Sequence, residues 1–92
     1  MALMAGFCDD VIRHGRTFVV QTEDKGPRQG VIESVVFEGG RVLHVRRTSY
    51  LSRLGDPDLE AEVGRLMAEQ HRAVRKDVES GRLDGPPAAG GA

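Results

Sequence analysis

The chain has no tryptophan, one tyrosine, three phenylalanines and a single cysteine in 92 residues. A lone cysteine excludes an intramolecular disulfide and fits a reducing compartment. With so few large aromatics, the core falls to Val, Leu, Ile and Met, which is little material for enclosing a ligand. A domain of this size buries only about 60 to 65% of the surface its unfolded chain exposes, so no large internal pocket is expected. Long apolar runs are missing as well, and nothing approaches the roughly 20 residues of a membrane span. The opening MALMAGFCDD has no basic stretch and meets Asp9 and Asp10 before an apolar segment of secretory length forms. A cytoplasmic protein is expected. Neither charge is in excess: 13 basic against 14 acidic side chains give a net charge of −1, and no overall field draws the chain to nucleic acid or anionic lipid. The charge is still uneven, with eight basic and six acidic residues before position 56 and five and eight from there on.

What is present reads as strands followed by a helix. In residues 1–15, Leu3, Phe7 and Ile12 could share a helical face, but Gly6 and the paired acids weaken it, so this N-terminal segment is left between a short helix and a frayed tail. From Arg16, RTFVVQTE is rich in β-branched and aromatic residues. It places Phe18, Val20 and Thr22 on one side and Thr17, Val19 and Gln21 on the other. The Gly- and Pro-containing DKGPRQG is a loop. Val31 to Glu38 and Arg41 to Thr48 form the next two strands, and Gly39-Gly40 supplies the positive φ angles of a two-residue hairpin turn.

Asp56-Pro57 suggests an N-cap and first helical residue. Leu59, Val63, Leu66, Met67, Gln70, Val74 and Val78 follow at three- and four-residue steps, and Gly81 marks the C-terminus. Acids gather at the start of this helix and bases toward its end, as the helix dipole favours. At about 1.5 Å per residue it is roughly 35 Å long, longer than three strands are wide, so one end is expected to overhang the sheet. Residues 82–92, dominated by Gly, Pro and Ala, are expected to be a disordered tail. The expectation is an α+β fold: a three-stranded antiparallel β-meander packed on one long C-terminal amphipathic helix, in a single β-β-β-α domain over residues 16–81.

A two-residue turn at Gly39-Gly40 would set Glu38 opposite Arg41, Phe37 opposite Val42, Val36 opposite Leu43, Val35 opposite His44, Ser34 opposite Val45 and Glu33 opposite Arg46. One face would then hold Ile32, Ser34, Val36, Leu43 and Val45. The other would hold Val31, Val35, Phe37 and Val42, with Glu33, His44 and Arg46 among them. An antiparallel sheet wet on one side normally alternates cleanly, and this hairpin does not. One helix covers one face only. The second face, made of Val31, Glu33, Val35, Phe37, Val42, His44 and Arg46, is therefore the candidate protein-interaction site. Three occupants are open: the N-terminal segment with Leu3, Met4, Phe7 and Ile12, a second copy, or a different protein.

Catalytic chemistry finds little support. Cys8, His14, His44 and His71 have no zinc-ligand spacing. No histidine stands beside a recognisable acid or nucleophile, and a lone Cys in an apolar segment is more often packing than catalytic. Gly39-Gly40 lacks the downstream Lys-Ser/Thr and helix start of a phosphate loop. The one basic cluster, RVLHVRRTSYLSR, is split by strand alternation and carries Tyr50 as its only aromatic, which gives a poor phosphate track and no stacking platform. RRTS also matches a basophilic kinase site at Ser49. A non-enzymatic module without metal or cofactor is expected, with a structural homodimer or a weak nucleic-acid binder as alternatives.

Taken together, RTFVVQTED, VIESVVFEGGRVLHVRRTSY and LMAEQHRAV resemble a group of short bacterial proteins with a β-meander, a Gly-Gly hairpin and a long C-terminal helix. Within that group the chain is similar to RomX-like proteins of the bacterial motility-polarity system. The resemblance covers about Gly15 to Gly81 and carries no functional-residue motif. It implies a regulatory adaptor that joins a response-regulator scaffold and promotes nucleotide exchange on a Ras-like GTPase. Such a role requires only a surface that prefers the nucleotide-poor state.

Overall fold

A computed structural model describes residues 6–84. Its elements are β1 (Gly6–Arg13), β2 (Arg16–Asp24), β3 (Val31–Glu38), β4 (Arg41–Ser49), a short 3-10 turn (Leu51–Arg53) and α1 (Leu59–Glu79). The strands form one antiparallel sheet in the order β1-β2-β3-β4. The meander therefore has four strands, not three, and the segment left between helix and tail is its first strand. Its pattern is period two: Phe7, Asp9 and Val11 pair with Thr22, Val20 and Phe18 on the helix side. An acid at one inward position hides that alternation. The connecting turn is His14-Gly15, with φ of 52° and 78°; histidine is among the few non-glycine residues that adopt this region readily.

The β3–β4 hairpin turns at Gly39-Gly40, with φ of 59° and 80°, and Glu38–Arg41 and Phe37–Val42 pair as expected. A bulge then intervenes, and Val36 pairs with His44, Val35 with Val45, Ser34 with Arg46 and Glu33 with Arg47. Leu43 is the extra residue. Because side chains alternate with period two, one added residue exchanges the faces of everything after it.

The helix begins at Leu59, two residues beyond the expected Pro57. Asp56 caps the preceding turn, accepting the Asp58 N–H at 2.9 Å. At the other end, Gly81 N–H bonds Val78 C=O at 3.1 Å and Arg82 N–H bonds Asp77 C=O at 3.0 Å. That pair of bonds is a Schellman motif, and Gly81 at φ 86° is its left-handed residue. Leu83 then turns back onto the core, and Asp84 receives Arg13 Nη2 at 3.0 Å. Residues 82–84 thus close the domain, against the expectation of a disordered tail from residue 82; residues 85–92 of that tail lie outside the described residues.

The helix runs along the strands and not across them, so its length matches theirs. Val74 and Val78 pack on Val11, Phe18, Val20 and Val36 at one end, while Val63 and Met67 pack with Ile32 and Tyr50 at the other. Tyr50 is buried, and its hydroxyl donates to Asp24 Oδ1 at 2.6 Å. Burial, with the adjacent carboxylate, pushes the phenol up to about 12. Arg16 makes two bonds to Glu38, of 2.8 and 2.7 Å, and lies over the Phe18 ring at 4.9 Å from its centroid. These contacts pin the β1–β2 turn to the tip of the β3–β4 hairpin.

Candidate protein-interaction face

The register sorts the sheet into rows. On the side away from α1, one row is Asp10, Val19, Phe37 and Val42, the next is Cys8, Gln21, Val35 and Val45, and a third is Gly6, Glu23, Glu33 and Arg47. Ile12 and Thr17 extend the first row toward the turns, and Val31 and Ser49 extend the third toward the far end. Three large hydrophobics on this side are exposed: Ile12 at 74%, Val42 at 56% and Val45 at 40%. Val19, Val31, Val35 and Phe37 are half-buried between them. The result is an apolar surface over two rows, widest on β3 and β4 and broken on the β1–β2 side by Asp10 and Gln21, bounded at one end by the charged row of Glu23, Glu33 and Arg47. Arg47 Nε donates to Glu33 at 2.9 Å, and Lys25 Nζ lies 3.7 Å from the same carboxylate.

Val31, Glu33, Val35, Phe37 and Val42 share this face. His44 and Arg46 do not. The bulge at Leu43 turns both toward the helix, where Arg46 Nη2 donates to Asp77 Oδ2 at 2.6 Å. In their place the bulge brings Val45 to the helix-free side, and the first strand adds Ile12. The N-terminal segment does not cover the face with its described residues. Phe7 points to the helix side, with its ring 5.3 Å from that of His71, and Ile12 is itself part of the exposed surface; Leu3 and Met4 lie outside the described residues.

The opposite face carries a buried polar chain that no sequence motif announces. Thr22 Oγ1 lies 2.6 Å from Ser34 Oγ and 2.8 Å from His71 Nδ1, and His71 Nε2 lies 2.7 Å from Asp9 Oδ2. Gln70 donates to Ser34 Oγ at 2.9 Å and to the Arg46 carbonyl at 3.1 Å, and it accepts from Thr48. Buried polar groups are tolerable only when partnered in this way. A carboxylate, an imidazole and a hydroxyl in series could suggest nucleophilic chemistry. Thr22 and Ser34 are only 1% and 0% exposed and bond each other, so as built the chain fastens α1 to the sheet. Among the described residues no group of three or more His, Cys, Asp or Glu side chains could hold a metal ion.

Three side chains on the helix side, Asp9, His44 and Asp77, link stability to acid pH. The hydrogen bond from His71 holds the Asp9 carboxyl below the usual carboxylate value, and Arg46 does the same for Asp77. Burial pushes the His44 imidazole down; Arg46 adds to the effect and Asp77 opposes it. Its Nε2 is buried without a hydrogen-bond partner among the described residues. All three groups have folded values below their unfolded ones, so their contributions are present at neutral pH and are lost on acidification. For His44 the loss begins below about 6.5, and for the carboxylates below about 4. The melting temperature measured against pH is expected to fall in two stages, and His44→Leu should abolish the upper one. A curve of unchanged shape in that variant would contradict the assignment.

Comparison with protein-family models, with curated proteins and with solved structures returned no match for this chain. Among the described residues no helix is long and apolar enough to cross a membrane.

Proposed function

We propose that the protein is a non-enzymatic interaction module whose working surface is the helix-free face of its sheet. The observation that carries this reading is the apolar surface of Ile12, Val19, Val35, Phe37, Val42 and Val45 on the side of the sheet away from α1. Surfaces of this make-up, apolar at the centre and charged at the border, are typical of protein contacts. The pairing of the basic cluster weighs against nucleic acid. Arg46 is engaged by Asp77, Arg47 by Glu33 and Arg53 by Glu62, which leaves little free positive charge to replace counterions on a phosphate backbone.

Capture from native lysate tests the reading. Wild type should retain a specific protein that Val35→Asp loses at least tenfold, while Arg72→Glu on the exposed side of α1 retains it. Equal capture by a folded Val35→Asp variant would refute the assignment to this face. The similarity to motility-polarity regulators puts a response-regulator scaffold and a Ras-like GTPase first among partners to try. Unchanged GDP release from the GTPase, with and without scaffold, would remove that version.

A further inference from the structure

We propose that the occupant of the helix-free face is the same face of a second copy of this chain, packed sheet on sheet; this rests on the reading of that face as a docking surface and names its partner. Area is the first argument. Four strands about 4.8 Å apart and four rows about 6.7 Å apart, the two apolar rows flanked by the Ile12-Thr17 row and the charged row, give a footprint on the order of 500 Å² per copy. A pair therefore covers about 1,000 Å², where specific interfaces begin.

The placement of charge is the second argument. The two rows Asp10-Val19-Phe37-Val42 and Cys8-Gln21-Val35-Val45 hold one ionisable carboxylate, Asp10, on the edge strand β1. Glu23, Glu33 and Arg47 are confined to the next row. A two-fold axis running across the strands, above the two apolar rows, lays those rows on their own copies. The charged row then lies at the two ends of the contact, over Ile12 and Thr17 of the other copy and open to solvent along its outer side, and Asp10 stays at the rim. An axis along the strands would instead put Glu23 over Glu33 of the other copy, a like-charge contact. Of these two orientations, only the first avoids a like-charge contact. Aligned sheets pack in this manner about 10 Å apart, and the added apolar layer suits a small chain with a thin core.

Sedimentation equilibrium and cross-linking test the proposal. The wild-type mass is expected to rise from 10.0 kDa toward twice that value with concentration. Val35→Asp should need at least tenfold more protein to reach the same fraction of dimer. In a Cys8→Ser background, Val42→Cys should give covalent dimers with a short bismaleimide, whereas Arg72→Cys should not. Because Val42 is exposed in the single chain, this arm remains decisive if Val35→Asp fails to fold. A wild type that stays at 10.0 kDa into the millimolar range overturns the proposal, as does cross-linking at Arg72→Cys but not at Val42→Cys. A monomeric wild type that captures a different protein in a Val35-dependent way removes the second copy alone. A monomer without such capture removes the docking surface as well.

Discussion

Phe18→Ala is expected to cost about 3–5 kcal/mol, a large share of a total margin on the order of 5–15 kcal/mol. Phe18 is fully buried at the centre of the cluster that joins β1, β2, β3 and the last turns of α1, and Arg16 covers its ring. The cavity would be closed poorly, because its buried neighbours are valines with one stiff torsion each and only Leu43 and Leu83 at the cluster's edge have longer side chains. Val42→Ala, on the helix-free face, should shift the stability of the isolated domain by no more than about 0.5 kcal/mol. Urea unfolding with unchanged slope and a displaced midpoint would give both values. A loss at Val42 as large as that at Phe18 would mean that the exposed face is covered by the domain's own chain.

The second large effect concerns a hydroxyl. Thr22→Val keeps the shape of the side chain but removes the oxygen lying 2.6 Å from Ser34 and 2.8 Å from His71. Ser34 keeps its bond from Gln70. The His71 Nδ1 is left buried without a partner, at a cost of about 1–3 kcal/mol. Adding His71→Leu should recover part of that loss, since removal of both partners spares the desolvation penalty. Asp9 retains Arg75, whose Nη1 is 3.4 Å from Oδ2. If the double variant is less stable than Thr22→Val by the full cost of His71→Leu alone, the two groups are not coupled and the polar chain does not fasten the helix.

Much of this architecture is legible in the residues, because most of it follows hydrophobic period. The alternation through Phe18, Val20 and Thr22, the Gly39-Gly40 turn and the stripe from Val63 to Val78 all correspond to elements of the fold. The first strand is concealed because its inward positions include Asp9, whose partner His71 lies 62 residues away, and because His-Gly is a less familiar turn than Asn-Gly. Nothing in GGRVLHV marks Leu43 as a bulge residue, and that single residue moved His44 and Arg46 to the helix side and Val45 to the other. A β-bulge is decided by which pairing best fills the core, which requires the helix to be in place. The polar chain shows the same dependence: Thr22, Ser34 and Gln70 fall on inward positions in the sequence pattern, but register brings together only Thr22 and Ser34, and Gln70 meets Ser34 only when α1 is seated on the sheet.

The most direct test of the helix-free face as the association surface is methyl NMR on valine- and alanine-labelled protein over a dilution series. Shifts should move with concentration at Val19, Val35, Val42 and Val45, and stay constant at Ala61 and Ala73 on the exposed side of α1. Concentration-dependent shifts confined to Ala61 and Ala73, or none at any valine of the face even after the captured partner is added, would contradict the account.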